Sequence, residues 1–271
     1  MTNKSEFRDY SESPENEHVH QTYRLNHTNQ TVDYVKDQLV KHCTKFDKAK
    51  ISILDALNEL DNLVDSSDPD LDLPQIVHAF QTAEGLRIKY PEPEQDWMCL
   101  VGLIHDLGKI IALPKYGNQP QWSTVGDTFP VGCRFSDKIV LSQYFENNPD
   151  FHNDKYNSKY GIYQKSCGLD NVMFSFGHDE YLYQVLKHNK CTIPEFGLKI
   201  IRYHSFYSWH KEKEYEYLMN EDDFKLRDAC EEFSKSDLYT KDNNSVPNIE
   251  TLIPFYENLI QKYFPNPIIE W

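Results

Sequence analysis

The chain has 271 residues, and its 28 lysines and arginines against 43 aspartates and glutamates give a net charge of −15 with neutral histidines. A surface this acidic repels phosphate backbones and anionic lipid faces, so neither nucleic acid nor a membrane is expected as a partner. Aromatic residues make up 14 % of the chain, far more than a disordered acidic chain carries, so a folded domain is expected.

Cysteine spacing and hydropathy indicate a cytoplasmic protein. The six cysteines form no Cys-x-x-Cys pair, so reduced thiols are expected rather than a disulfide scaffold. The first twenty residues are acidic and polar and lack the apolar core of a signal peptide. No apolar run approaches the roughly 18 residues that a membrane span requires.

Helical periodicity dominates the chain. Residues 1–21 show no periodicity and are expected to form a tail or a docking arm. Beyond them, apolar residues recur at helical spacing in a series of segments: 31–46, 51–64, 74–90, 96–113, 136–146, 178–186, 194–206, 222–239 and 248–264. No convincing alternating strand is visible. We therefore predict one all-α domain, with an N-terminal arm or lid at 1–30, a helical body at 31–271 and long loops that are often functional.

The segment DWMCLVGLIHDLGKIIAL, residues 96–113, is predicted to be a buried helix that Pro114 ends. His105 and Asp106 lie side by side in this apolar run. Burying a polar group without a partner costs roughly 2–7 kcal/mol, and burying a charge costs more. A metal cation would be a partner for both side chains, although an isolated His-Asp pair is usually a hydrogen-bonded pair or a helix cap.

Further histidines and carboxylates on or beside apolar helices favour the metal hypothesis. Each one alone is better explained as a hydrogen-bonded core residue. Together, six nitrogen and oxygen donors on five helical segments suit two metal ions that share one carboxylate, and iron, manganese or zinc would accept them. The six are His78, His105, Asp106, His178, His204 and Asp237. The other histidines are expected at the surface: His18, His20, His27, His42, His152, His188 and His210.

Three more positions suggest chemistry. Lys109 shares a helix face with Asp106, where its charge would favour the deprotonated form of a hydroxyl bound to a metal. The alternative interpretation is a solvated lysine at a helix end. Asp127 follows Gly126 in irregular backbone and could hold hydroxyl groups. Ser205, next to His204, offers one donor and one acceptor.

Several motifs resemble those of the myo-inositol oxygenase family, which belongs to the HD-domain superfamily. They run through most of the chain: FRDY (7–10), LVDSSDPDLD (63–72), HAFQTAEGLR (78–87), LVGLIHDLGK (100–109), VGDTFPVGC (125–133), SFGHDEYLYQ (175–184), IRYHSFYSWH (201–210) and DLYTK (237–241). The resemblance implies a helical bundle of HD-domain type. The arm at residues 11–21 is more polar than expected for the family, which puts the lid rather than the metal site in question.

The resemblance also implies a role for each matching residue. One iron would be held by His78, His105, Asp106 and Asp237. Asp106 would bridge to a second iron, which His178 and His204 complete. The implied substrate contacts are Arg8, Asp65, Ser66, Ser67, Lys109, Gly126, Asp127, His204 and Ser205. Asp106 and Lys109 would be catalytic, and Tyr23 and Lys241 would support the site or the lid.

The reaction that the resemblance implies is a four-electron cleavage of the myo-inositol ring by molecular oxygen. It would use a mixed-valent Fe(II)/Fe(III) pair, produce D-glucuronate and water, and require no organic cofactor or second subunit. The absence of a G-x-G-x-x-G motif agrees with this expectation. The alternatives are a phosphohydrolase of the HD superfamily, which would want several cations near the metals, and a helical binding module with a structural metal.

Overall fold

The computed structural model describes residues 9–69, 74–239 and 247–271. Arg8 and Lys241, two residues with implied roles, lie outside this part of the chain. The described α-helices are α1 (Glu17–Asn29), α2 (Val32–His42), α3 (Ile53–Leu60), α4 (Gln75–Lys89), α5 (Trp97–Ile104), α6 (His178–His188), α7 (Glu195–Tyr203), α8 (Tyr207–His210), α9 (Glu221–Tyr239) and α10 (Ile249–Tyr263). The predicted single all-α domain is confirmed.

Shorter elements connect these helices. The 3₁₀ segments are Pro93–Gln95, Leu107–Ala112, Gln121–Ser123, Ser142–Asn147, Pro149–His152, Leu169–Asn171 and Glu216–Leu218. Two three-residue strands, β1 (Lys50–Ser52) and β2 (Ile268–Glu270), pair in antiparallel fashion with Lys50 opposite Glu270. Both strands are too short to produce a visible alternating pattern, so the sequence did not reveal them. Within the described ranges, no helix combines the length and the hydropathy of a membrane span.

Helix α5 lies at the centre of the domain. It is apolar almost all round, so it has to be covered by other helices on every side. Helices α4, α7 and α10 all pack against it, and Leu100, Val101 and Ile104 are fully buried. Each such aliphatic side chain contributes about 1.5–3 kcal/mol by leaving water. This packing fixes the position of α5 relative to α4, α7 and α10.

The predicted helix at 96–113 is divided in two by the residues of interest. The α-helix ends at Ile104, Asp106 adopts φ −92° and ψ −3°, and a 3₁₀ segment follows. Helix α6 packs directly on that segment. A Cβ atom at Gly108 would overlap the backbone carbonyl of His178, so only glycine allows this close approach.

Two further local predictions are wrong. Residues 136–146 form no helix until the 3₁₀ segment at Ser142, because Leu141 adopts a left-handed conformation with φ +52° and His27 bonds to the carbonyl of Val140. Residues from Glu17 onwards are helical rather than irregular. The signal in α1 was weak because several of its buried positions are polar.

Helix α1 is packed into the domain. It contacts the 3₁₀ segments at Gln121–Ser123 and Ser142–Asn147, and Val19 and Tyr23 are buried. The division at residue 30 and the movement of residues 1–30 as a lid stay predictions.

Four of the histidines predicted at the surface are buried: His20, His27, His42 and His210. For these four the prediction is wrong, because the chain provides polar partners that the sequence pattern does not show. Nε2 of His27 lies 2.7 Å from the carbonyl oxygen of Val140, for example. His18, His152 and His188 are exposed, as predicted.

Candidate metal centre

The structure brings the six predicted metal ligands together in the interior. They come from five segments: His78 from α4, His105 and Asp106 from the turn after α5, His178 from the start of α6, His204 from the turn after α7 and Asp237 from α9. Each of the six is less than a tenth exposed. The sequence predicted this set, and the packing of the helices explains why the residues meet.

One group of ligand atoms lies around Asp237. Its Oδ1 atom is 3.0 Å from Nε2 of His78 and 3.4 Å from Nε2 of His105. These three residues offer ligand atoms within 4.8 Å of one another. Ligands bound at about 2.1 Å are about 3.0–3.4 Å apart at ordinary coordination angles, so the spacing fits a metal ion.

A second group lies on the other side of Asp106. Its Oδ1 atom is 3.3 Å from Nε2 of His178 and 3.7 Å from Nε2 of His204, and those two nitrogens are 3.4 Å apart. Its Oδ2 atom instead lies 3.4 Å from Nε2 of His105 and 3.8 Å from that of His78. Each oxygen of this carboxylate therefore faces a different pair of imidazoles, and His105 and His204 from the two pairs also offer ligand atoms within 4.8 Å of each other and of Asp106.

Backbone carbonyls orient three of the four imidazoles. Nδ1 of His105 bonds to Gly102, Nδ1 of His178 to Thr124 and Nδ1 of His204 to Ile201, at distances of 2.7–2.8 Å. A carbonyl can only accept, so each Nδ1 carries the proton and each Nε2 keeps its lone pair for a ligand role.

The Nε2 atom of His105 gives the clearest sign that a cation fits this site. It is buried and has no hydrogen-bond partner among the described residues. A lone pair that faces two carboxylates without a hydrogen bond is unfavourable, whereas a cation between them satisfies all three groups. The donor set, nitrogen and oxygen without sulfur, suits iron or manganese as well as zinc.

The carboxylates of the centre are held in their ionised form. Burial by itself raises the pKa of Asp106, but Lys109 and the surrounding histidines outweigh this effect and hold the pKa well below its usual range. The pKa of Asp237 is likewise lowered, because His105 and His78 overcome the effect of burial. Both side chains are therefore anionic near neutral pH and ready to bind a cation.

Lys109 lies at the edge of the centre between two carboxylates. Its Nζ atom is 2.9 Å from Oδ2 of Asp106 and 2.8 Å from Oδ2 of Asp65. Burial lowers the pKa of this lysine, but the two carboxylates dominate and raise it above its ordinary value. Asp65 in turn accepts hydrogen bonds from the backbone and hydroxyl of Ser67. Lys109 is thus a fixed, buried cation and not the solvated lysine of the alternative interpretation.

Three of the other predicted substrate residues, Ser66, Gly126 and Asp127, lie against α1. The hydroxyl of Tyr23 donates to Asp127 at 3.0 Å, and the hydroxyls of Thr22 and Ser66 are hydrogen-bonded at 2.9 Å. Gly126 has φ +93°, a conformation that favours glycine, and a Cβ atom there would lie 3.4 Å from the Tyr23 ring. The structure therefore connects these positions to α1, a contact that the sequence prediction included only through Tyr23.

Asp179 is the functional candidate that sequence reasoning missed. It is buried, and its Oδ1 atom lies 2.7 Å from Nε2 of His178 and 3.4 Å from Nδ1 of His204. These three residues form another group that could hold a metal. The available signal was the second His-Asp dipeptide, at residues 178–179, whose histidine alone was selected.

Comparison with known proteins identifies close relatives along almost the whole chain. A family model described as myo-inositol oxygenase matches residues 16–271. Inositol oxygenase from Danio rerio is 49 % identical, and the match covers 99 % of this chain and 94 % of the relative. Inositol oxygenase 4 from Arabidopsis thaliana is 51 % identical over 96 % and 81 % of the two chains. Inositol oxygenase from Dictyostelium discoideum is 46 % identical over 97 % and 89 %.

Proposed function

The chain belongs to the myo-inositol oxygenase family, a family of enzymes, and from this premise we propose that it cleaves the ring of myo-inositol with molecular oxygen to give D-glucuronate and water. The observation that carries the proposal is the position of Asp106, whose two oxygens face two separate pairs of imidazoles. A centre with one metal would not need a carboxylate shared in this way.

The proposed cofactor is a pair of irons. His78, His105 and Asp237 would hold one, His178 and His204 would hold the other, and Asp106 would be common to both. When bound, a mixed-valent Fe(II)/Fe(III) pair supplies the redox chemistry for a four-electron oxidation by oxygen. The second group has fewer protein donors in the proposed set, which leaves room for substrate hydroxyls.

Lys109 is proposed to set the protonation of the substrate. Its charge is buried and fixed between Asp65 and Asp106, so water screens it little. A cation in this position favours the deprotonated form of a nearby hydroxyl. Asp65 would keep Lys109 charged and oriented, and Asp106 would place that charge beside the metal pair.

Recognition of the substrate is proposed to use hydrogen bonds to an uncharged molecule. Myo-inositol has a hydroxyl on each ring carbon and no charge, so its site needs donors and acceptors rather than free cations. The proposed contacts are Asp65, Ser66, Ser67, Lys109, Gly126, Asp127, His204 and Ser205. Arg8, outside the described residues, is proposed to close over the substrate from the N-terminal side. A monomeric state and a cytoplasmic location stay predictions from the sequence.

Oxygen uptake by iron-loaded protein tests the proposed function. We expect uptake to depend on myo-inositol, D-glucuronate to form in equal amount, and metal analysis to find about two irons per chain. Zinc-loaded protein and a hexose in place of inositol are the controls. Stoichiometric zinc in the purified protein, with hydrolysis of phosphate esters and no inositol-dependent uptake, would instead support the phosphohydrolase alternative.

A further inference from the structure

Asp179 makes an unusually complete set of contacts beside the proposed metal pair. Its Oδ2 atom accepts hydrogen bonds from the hydroxyl of Thr128 at 3.0 Å and from the backbone N–H of Ser205 at 3.2 Å. Its Oδ1 atom accepts from the hydroxyl of Ser205 at 3.2 Å and lies 2.7 Å from Nε2 of His178. All these groups are buried, so water does not compete for the carboxylate.

These contacts join three separate segments. Thr128 follows Gly126 and Asp127 in the loop between the 3₁₀ segments Gln121–Ser123 and Ser142–Asn147, and Ser205 follows His204 after α7. Asp179 itself lies in the first turn of α6, next to His178. One carboxylate thus connects the parts of the chain that carry proposed substrate and metal contacts.

The direction of one hydrogen bond has a chemical consequence. The Ser205 hydroxyl lies 3.2 Å from Oδ1 of Asp179 and 3.4 Å from Nε2 of His178. It donates its single hydrogen to Asp179, because a carboxylate can only accept and the His178 lone pair is directed to the proposed metal. What Ser205 can then offer to a substrate is its oxygen lone pairs. A serine held in this way can accept a hydrogen bond from a substrate but has no hydrogen left to donate to it.

We propose that Asp179 is a positioning residue that fixes Ser205 as a hydrogen-bond acceptor for a substrate hydroxyl. It acts on the substrate through Ser205 and is not itself an iron ligand. This inference rests on the proposed function, because it names how the polyol of that reaction is recognised at the same site.

Asp179→Asn is the informative substitution, since it keeps the size of the side chain. The amide oxygen can still accept from Thr128 and from the backbone of Ser205. The amide nitrogen would then face the Ser205 hydroxyl and donate to it, which turns the serine hydrogen away from residue 179. A substrate hydroxyl would meet a donor where it needs an acceptor.

We expect Asp179→Asn to raise KM for myo-inositol about tenfold and to change kcat by less than about threefold, in keeping with the loss of one hydrogen bond. Iron content should remain at the value of the unaltered protein. Glu180→Gln is the matched control, because it makes the same chemical change at the next residue, whose carboxylate bonds to Arg202 instead. The control should leave KM unchanged.

A double-mutant cycle separates positioning from general structural damage. If Asp179 acts through Ser205, Asp179→Asn should change KM by less than about twofold in a Ser205→Ala background. Should the asparagine variant fail to fold, Thr128→Val removes one donor from the same carboxylate. It should raise KM about threefold, and this effect should also vanish without the Ser205 hydroxyl.

Four results would overturn the inference. An unchanged KM in Asp179→Asn, or effects that add independently of Ser205, would remove the link to the serine. Loss of one iron per chain in that variant would make Asp179 a ligand instead. If the unaltered protein shows no inositol-dependent oxygen uptake, the proposed function fails and the inference fails with it. If the unaltered protein shows inositol-dependent uptake but KM is unchanged in Asp179→Asn, the inference fails and the proposed function stands.

Discussion

At the scale of single residues, Asp106 has the most demanding position in the molecule. Its Oδ2 atom contacts Lys109 and faces His105, while its Oδ1 atom faces His178. No other described carboxylate lies between the two pairs of imidazoles. The two proposed metal positions therefore depend on one side chain, and this dependence can be tested directly.

Asp106→Ala is expected to lose both metals. Removal of the shared carboxylate takes one ligand from each group and leaves Lys109 near an empty space, so neither position keeps a full set of donors. Metal analysis of the purified variant should find less than about 0.2 iron per chain, against about two in the unaltered protein. Glu180→Gln serves as the control. Retention of one tightly held iron would contradict the shared role.

Lys109→Met is expected to keep the metals but to lose most turnover. Methionine has a similar length and fills the space, so the imidazoles and carboxylates of the centre stay in position. Without the ammonium, kcat for inositol-dependent oxygen uptake should fall by about 10²–10³. The free energy of unfolding of the variant should also be lower by about 3–5 kcal/mol, because the buried charge of Asp65 loses its partner. Unchanged turnover would show that the lysine has only a structural role.

At the scale of elements, the contact between α6 and the 3₁₀ segment after α5 sets the distance between the two imidazole groups. Gly108 lies against the backbone carbonyl of His178, where a Cβ atom has no room. His105 and Asp106 precede this contact by only a few residues. A change of spacing here moves one ligand group relative to the other.

Gly108→Ala is expected to disturb the centre without touching a ligand side chain. The new methyl group would push α6 away from Asp106, so iron content should fall by half or more. The free energy of unfolding should fall by about 2 kcal/mol or more. Gly177→Ala provides the matched control, since that residue has an extended backbone with φ −160° and its Cβ would lie 3.6 Å from Thr124. Equal iron content in the two variants would show that the spacing at Gly108 is not critical.

Elements were predictable where apolar periodicity and helix geometry agree. The predicted segments at 74–90, 194–206 and 222–239 correspond closely to α4, α7 and α9, which each present an apolar face to α5 or its neighbours. Prediction failed where tertiary contacts decide the backbone. At Leu141 a left-handed residue prevents the helix that 136–146 would otherwise form, and at Asp106 the approach of α6 ends α5 early.

At the scale of the whole molecule, the domain buries imidazoles that have no part in the metal centre. Burial lowers the pKa of His27 to about 4, despite its hydrogen bond to Val140, and lowers that of His42 to about 4 as well, with Lys48 contributing. His27 also stacks on Phe145 with ring centroids 4.0 Å apart. These histidines are neutral in the folded state at pH values where the unfolded chain would protonate them.

Folding stability is therefore expected to fall as the pH drops from about 6.5 towards 4. In this range the unfolded chain binds a proton at His27 and the folded chain does not. This difference lowers the free energy of unfolding by up to about 3 kcal/mol. His27→Gln should be less stable at pH 7.5 through lost packing. Between pH 7.5 and 4.5 the free energy of unfolding falls in both proteins. The fall should be smaller in His27→Gln than in the unaltered protein, by about 2–3 kcal/mol.

Urea unfolding at both pH values measures this difference, with His152→Gln as the exposed control. The comparison between variants removes the contributions of groups that titrate in every protein tested. Parallel pH dependence of His27→Gln and the unaltered protein would contradict the explanation.

The site was less evenly predictable than the fold. The six candidate ligands were selected because ionisable residues on apolar helices need partners, and the structure brings them together. Asp127 was selected as a carboxylate in irregular backbone and Ser66 through a family resemblance, but nothing in their local sequence shows that α1 would cover them. Asp179 was missed because its importance comes from contacts with Thr128 and Ser205, which lie far away in the chain.

The carbonyl bonds that orient His105, His178 and His204 have a consequence for how this centre can change. Their acceptors belong to the main chain at Gly102, Thr124 and Ile201, and a main-chain oxygen is present whatever amino acid occupies the position. Ordinary point substitutions cannot delete it. To rotate these rings, evolution or protein design would have to change the backbone conformation at a helix end. A single side-chain substitution would not be enough.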